Sequence, residues 1–220
     1  MDEQDALDTD RKHPNEQKSI DPRRLLAALQ NVGLVLVFSL FIYAHGKNVA
    51  DGGWVSIPFV VEQIVMVTLV LVRRRTIVTS NRPMDWAVAA VGTWLPLAIR
   101  PADGPTVVAD VGFALQLVGV ALATMSFVSL GRSFGIVAAN RGLTTAGPYS
   151  VVRHPIYLGH LLTLTGILMA NPSYLNAVIW PVVVIAMFLR VRAEERVLSD
   201  SGSYAEYRKA VPWRLLPRLY

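Results

Sequence analysis

The chain has 220 residues, 53% of them hydrophobic, and its mean hydropathy is +0.41. Soluble domains of this size are rarely so apolar, so the composition indicates a polytopic membrane protein with one compact domain. The net charge of +5 does not predict a nucleic-acid partner, because the basic residues cluster beside apolar segments, where they can face anionic lipid headgroups. The absence of cysteine excludes disulfides, thiolate metal sites and a cysteine nucleophile, and we predict no metal site.

Six apolar segments follow a polar N-terminal stretch. Residues 1–24 carry both charge signs and lack the apolar core of a secretory signal, so we expect a cytoplasmic polar tail. A helix needs about 20 apolar residues to cross a bilayer. We predict membrane helices at 25–44, 55–72, 86–99, 111–130, 158–170 and 175–189. The expected fold is all-α, a polytopic membrane helix bundle of about six transmembrane segments that ends in a C-terminal helical hairpin.

The charge distribution sets the expected orientation of these helices. With the N-terminus in the cytoplasm, 19 of the 21 lysines and arginines fall in inner segments, and only Lys47 and Arg100 lie outside. This asymmetry is the positive-inside pattern, and it predicts that both termini are cytoplasmic.

One ionisable residue, Glu62, lies inside a predicted span. Such a residue is a candidate functional group in a membrane protein. The more ordinary interpretation is that its side chain makes an interhelical hydrogen bond or sits near the outer headgroups.

The segment 131–157 is long for a connection and rich in glycine, and it leads into the run RHPIYLG at 153–159. Pro155 suits the first turn of a helix, so Arg153 and His154 should lie at the N-terminal end of a membrane helix. Unpaired backbone N–H groups at such an end can receive a carboxylate. His154 can donate or accept a hydrogen bond, and Tyr157 offers a ring and a hydroxyl.

A second polar group follows the hairpin at 190–196, RVRAEER. On a continuing helix Arg190 and Glu194 share a face. Because a hairpin is antiparallel, this group should return to the level of Arg153 and Tyr157 and form a cofactor pocket with them. Each residue alone also has a plainer interpretation: arginines as membrane anchors, and Tyr204 and Tyr207 as an interfacial aromatic belt.

At this point the sequence resembles a known family, the isoprenylcysteine carboxyl methyltransferases, which are related to membrane phospholipid methyltransferases. The resemblance rests on GPY at 147–149, RHPIYLG at 153–159, EERVL at 194–198, YAEY at 204–207 and VP at 211–212.

This resemblance implies S-adenosyl-L-methionine as cofactor and methyl transfer at the membrane face. It implies cofactor contacts from Tyr149, His154, Pro155, Ile156, Tyr157 and Glu194, with a further contact from Arg141, Gly142, Leu143 and Thr144. Glu194 or Glu195 can pair with the cofactor's amino group, and Arg153 or the helix N-terminus can take its carboxylate. The position of Arg190 is one that the family uses near the substrate, and we assign catalytic roles to Arg190 and Arg153.

We therefore expect an integral membrane methyltransferase whose lipophilic acceptor enters from the bilayer. The acceptor would be the carboxylate of a prenylated cysteine or a related small lipophilic molecule. A phospholipid N-methyltransferase and a non-catalytic scaffold or transporter stay as alternatives. The chain would divide into the tail at 1–24, scaffold helices at 25–130, and a cofactor-binding loop, hairpin and C-terminal segment at 131–220. Its composition favours a bacterial plasma membrane.

Overall fold

The computed structural model describes residues 22–52, 57–74, 78–99, 108–135, 137–140, 142–170, 172–199 and 202–219. Within these ranges the fold is helical, as predicted. The helices are α1 (Pro22–Ala50), α2 (Ile57–Val72), α3 (Pro83–Trp94), α4 (Ala109–Leu130), α5 (Pro155–Ala170), α6 (Tyr174–Leu198) and α7 (Gly202–Ala210). Two strands of two residues each, β1 (Val78–Thr79) and β2 (Ala139–Asn140), pair antiparallel with Val78 opposite Asn140.

The helix lengths and compositions fit a membrane bundle of about six spans. Three described segments are long and apolar enough to cross a membrane: Asn31–Ala50, Ala109–Ser133 and Tyr174–Leu198. Helices α2 and α5 are also apolar but shorter. Large apolar side chains such as Leu40, Val128 and Ile185 point away from the protein core, as expected of surfaces that face lipid. The chain is an integral membrane protein.

The chain falls into two units, residues 1–33 and residues 34–220. Of the first unit the described part is the beginning of α1, and most of the predicted tail at 1–24 lies outside the described residues. The second unit holds all of the features discussed below.

Helices α4 and α5 pack closely because glycines line their interface. A Cβ at Gly159 of α5 would lie 2.7 Å from the backbone nitrogen of Ala123 and 2.7 Å from the backbone oxygen of Gly119, both on α4. Gly112 and Gly166 meet in the same way one level further along. Small residues let membrane helices approach to backbone contact, and here they fix the position of α5 and its N-terminal end.

Helix α3 ends earlier than predicted. It runs from Pro83 to Trp94 and continues as a 3₁₀ turn over Leu95–Ala98, which contains Pro96. An ion pair fixes α3 against α6, with Arg196 Nη1 at 3.2 Å from Asp85 Oδ2. Asp85 is buried and also accepts a hydrogen bond from Ser80 Oγ.

Candidate functional site

The two polar groups that the sequence predicted to converge do so in the structure. Helix α5 begins at Pro155, and α6 continues without a break through Leu198, so the N-terminal end of α5 and the last turns of α6 lie side by side. We call Arg153, His154, Tyr157, Glu194 and Glu195 the rim cluster. All five residues lie at the same end of the helix bundle, which we call the charged end.

Within the rim cluster, Glu195 is held by three cationic or potentially cationic groups. Arg153 contacts Glu195 Oε1 through Nε at 3.0 Å and Nη2 at 2.9 Å. Arg214 Nε donates to Glu195 Oε2 at 2.9 Å, and His154 Nε2 lies 3.3 Å from Oε1. The Glu195 carboxylate is therefore saturated by partners within the protein.

Arg153 also ties the C-terminal segment to the cluster. Its Nη1 donates to the carbonyl oxygens of Val211 at 2.9 Å and Pro212 at 2.7 Å. The backbone N–H groups of Arg153 and His154 donate to the carbonyl oxygens of Trp213 and Arg214, both at 2.9 Å. The helix end was predicted to leave its N–H groups open to a ligand, but these two are already paired because the C-terminal segment folds back over them.

Glu194 has a different environment from its neighbour. Its carboxylate lines the cavity described below, accepts a hydrogen bond from the Tyr157 hydroxyl at Oε1, and places Oε2 3.7 Å from His154 Nδ1. Adjacent residues on a helix point about 100° apart, so one of the two glutamates faces the cavity and the other faces the C-terminal segment.

His154 is buried between the two glutamates. Burial lowers the pKa of its imidazole, but the hydrogen bonds and negative charges of Glu194 and Glu195 outweigh that effect, and the pKa is raised above its ordinary value. The imidazolium form is thus stabilised in the fold, and it helps to hold two carboxylates close together.

Arg190 lies further into the bundle, one turn of α6 before Glu194. Its guanidinium carbon is 5.4 Å from the centroid of the Tyr157 ring, and Nη1 lies 3.4 Å from Thr93 Oγ1 on α3. A Cβ at position 92 would stand 3.2 Å from Arg190 Cδ, so Gly92 makes room for the arginine. Sequence patterns did not indicate Gly92 or Thr93, because neither carries charge or belongs to a motif.

The C-terminal helix α7 closes one side of the site. Tyr204 and Tyr207 are buried and pack with Leu143, Leu198 and Val211. The Tyr207 hydroxyl donates to the carbonyl oxygen of Tyr149 at 2.7 Å. The interpretation of Tyr204 and Tyr207 as an interfacial aromatic belt is therefore wrong, since both rings face the protein interior.

A cavity of about 890 Å³ opens beside the rim cluster and extends between the helices. Most of the predicted site residues line it: Gly142, Leu143, Thr144, Tyr149, Arg153, His154, Ile156, Tyr157, Arg190 and Glu194. Pro155 and Glu195 are not among the lining residues, and Arg141 lies outside the described residues. The cavity wall thus includes two carboxyl groups, those of Glu62 and Glu194, together with several tyrosines and Arg190, whose charge lies near an aromatic ring.

Comparison with known proteins shows which proteins this part of the chain resembles. Residues 108–204 match the phospholipid methyltransferase family model, so the match begins just before α4 and ends within α7. The resemblance to isoprenylcysteine methyltransferases, related to that family, is confirmed by curated relatives. The protein-S-isoprenylcysteine O-methyltransferase of Schizosaccharomyces pombe is 34% identical over 102 residues, 43% of each chain.

Two further relatives extend the comparison. The human protein-S-isoprenylcysteine O-methyltransferase is 28% identical over 152 residues, 60% of this chain and 51% of the human one. The cobalt-zinc-cadmium resistance protein CzcN of Cupriavidus metallidurans is 33% identical over 125 residues, 53% of this chain and 54% of that relative. The chain spans about half the length of the curated relatives it matches.

Proposed function

We propose that this protein is an integral membrane methyltransferase that uses S-adenosyl-L-methionine and methylates a lipophilic acceptor. The observation that carries the proposal is the cavity at the charged end, where Glu194, Tyr149 and Tyr157 face one space. The similarity to O-methyltransferases supports it. We further propose that both termini face the cytoplasm of a bacterial cell, as the positive-inside pattern predicts.

The residues that line this cavity fit the proposed cofactor. When bound, S-adenosyl-L-methionine would supply a methyl group activated by its sulfonium charge. The Glu194 carboxylate would pair with the ammonium group, and the Tyr157 hydroxyl bonded to Glu194 would keep that carboxylate oriented. The rings of Tyr149 and Tyr157 would attract positive charge to their faces. Backbone groups at Gly142, Leu143 and Thr144 would border the same space.

Arg190 is our candidate for binding the acceptor. It faces the cavity from beside Tyr157, further into the bundle than Glu194. A guanidinium at this depth would pair with a carboxylate on the acceptor and align it with the activated methyl group. The apolar walls around it exclude water from the reacting groups. A carboxylate acceptor carries its own lone pair and needs no general base.

Arg153 and Glu195 act as positioning residues in this proposal. Their charged groups pair with each other and with the C-terminal segment, and that pairing holds His154 and α7 in place beside the cavity. We therefore propose a catalytic role for Arg190 and a positioning role for Arg153, although the sequence led us to expect both to be catalytic.

Calorimetry on the detergent-solubilised full chain tests cofactor binding. We expect S-adenosyl-L-methionine to bind with Kd between about 1 μM and 1 mM, the range typical of enzyme ligands. Glu194→Gln removes the charge that pairs with the ammonium group and should weaken binding at least tenfold. Glu206→Gln, at an exposed carboxylate on α7, is the matched control and should bind like the parent. Equal affinity in all three proteins would refute the assignment of Glu194.

The acceptor is identified by product analysis. Membranes that contain the protein are incubated with S-adenosyl-L-methionine labelled in the methyl group, and the labelled product is isolated. An ester that releases its label in mild base indicates carboxyl methylation, whereas a base-stable label on a phospholipid amine indicates N-methylation. A membrane without labelled product despite cofactor binding would count against both.

A further inference from the structure

The part of the cavity furthest from the rim cluster contains polar side chains that the proposed methyl transfer does not use. Glu62 and Gln63 of α2 both line this part. Glu62 lies ten residues from Val72, whose carbonyl oxygen accepts a hydrogen bond from Arg132 at the charged end. Ten helical residues rise about 15 Å, so Glu62 lies well inside the bundle.

Each side chain has an oxygen atom without a hydrogen-bond partner in the part of the chain that the structure describes. Glu62 is only 7% exposed, and no described residue forms a hydrogen bond or ion pair with its carboxyl group. The Gln63 Oε1 atom is buried and has no hydrogen-bond partner among the described residues. The interhelical hydrogen bond expected for Glu62 from the sequence is therefore not made with these residues.

The surroundings make this arrangement costly. The nearby cavity wall is largely apolar and includes the rings of Phe41 and Phe59, which stack on His45, and the side chain of Met66. Buried polar groups in proteins are almost always hydrogen-bonded, and an unpaired one costs free energy. Ionisable side chains inside a membrane bundle commonly mark a ligand or ion pathway. A ligand group with a hydrogen-bond donor, such as a hydroxyl, would pair with one of these oxygens.

We propose that Glu62 and Gln63 form a second recognition site, which binds a hydroxyl group carried on the hydrocarbon chain of the methyl acceptor. This second recognition site depends on the proposed function in one respect: the molecule that binds there is the methyl acceptor. The acceptor is then a lipophile with a polar group at each end of its apolar part: a methylated group near Arg190, and a hydroxyl near Glu62. A plain hydrocarbon chain leaves both polar side chains unpaired.

Two probes that differ only at the chain end test this site. One is N-acetyl-S-farnesylcysteine, and the other is the same compound with a hydroxyl on the terminal carbon of the farnesyl chain. The Kd of each is measured by calorimetry on the detergent-solubilised full chain. Each probe partitions into detergent, and this changes its apparent Kd by the same factor for every variant. The ratio of the two Kd values can therefore be compared directly between variants.

The parent protein should favour the hydroxylated probe, and Glu62→Leu should reduce that preference about tenfold, the effect of one hydrogen bond to a buried polar group. Glu62→Gln retains an accepting oxygen and should keep the preference. Cofactor binding, measured on the same preparations, reports whether each variant is folded at the charged end.

An equal Kd ratio in the parent and Glu62→Leu overturns the inference, as does the failure of the parent to bind either probe. The proposed methyl transfer is tested separately, by the transfer of label from the cofactor to the probes. A preserved preference for the hydroxylated probe without label transfer from S-adenosyl-L-methionine to either probe refutes methyl transfer to this class and leaves the second recognition site in place.

Discussion

Replacement of Arg153 by methionine tests the role of the rim cluster in stability. The buried guanidinium makes two contacts with Glu195 Oε1, at 3.0 and 2.9 Å, and donates to the carbonyl oxygens of Val211 and Pro212. Methionine keeps an unbranched side chain that reaches as far as the position of Nε, but it has no charge and no donor. The substitution leaves the Glu195 carboxylate buried with fewer partners and removes the two side-chain hydrogen bonds to the C-terminal segment, whereas the backbone bonds to Trp213 and Arg214 can remain.

The expected loss is about 3 kcal/mol in the free energy of unfolding. Breaking a buried ion pair by removing one partner costs roughly 3–5 kcal/mol. The lower end applies here because Glu195 keeps Arg214 Nε at 2.9 Å and His154 Nε2 at 3.3 Å. The double variant Arg153→Met, Glu195→Gln should lose less than the two single variants together, since it leaves no unpaired carboxylate.

Denaturant titration in mild detergent micelles measures these differences. Arg192→Met removes an exposed arginine from the same helix as Glu195 and serves as the control, with an expected change of less than about 1 kcal/mol. A loss for Arg153→Met no larger than that of the control would refute the reasoning, because it would mean that the rim cluster does not support the fold.

Two further predictions concern helix packing and pH. Gly159→Ala places a Cβ 2.7 Å from backbone atoms of α4, so α4 and α5 must separate and the free energy of unfolding should fall by about 1–3 kcal/mol, measured by denaturant titration. The raised pKa of His154 contributes stability that is fully present below the unfolded value of about 6.5 and is lost as the pH rises through the folded pKa. Between pH 5.5 and 8.5 the Tm of His154→Gln should therefore fall less with rising pH than that of the parent.

Each of these two predictions has its own control. Gly46 lies on α1 with nothing within 4 Å of an added Cβ, so Gly46→Ala should be neutral or slightly stabilising. If Gly159→Ala behaves in the same way, close packing does not fix α5. For His154, parallel Tm profiles in the parent and the variant would show that the imidazole does not titrate differently in the folded protein.

The start of α5 and the extent of α6 could be predicted because the determinants are local. Pro155 favours a helix start, and the structure begins α5 there. Arg190 and Glu194 were expected to share a continuing helix, and α6 does run through both despite Pro181. The apolar length of the chain was also enough to predict a membrane bundle.

The features that sequence reasoning missed depend on contacts distant along the chain. Tyr204 and Tyr207 are three residues apart, a spacing that suits a membrane surface and a protein core equally well. Whether the two rings face the lipid or the protein core depends on their contacts with Leu143 and Tyr149, which lie more than 50 residues earlier in the chain. Likewise, no local pattern shows that Trp213 and Arg214 pair with the backbone at Arg153 and His154.

The pairing of Arg153 with Val211 and Pro212 has a consequence for biosynthesis. Both carbonyl groups come from the stretch that follows α7, so the ribosome finishes α5 and α6 before their partners exist. While the hairpin of α5 and α6 forms, the side chain of Arg153 therefore still lacks these partners and is exposed to water. This end of the pocket can therefore close only after Val211 and Pro212 have been synthesised, and a chain interrupted before Val211 would leave it open to water.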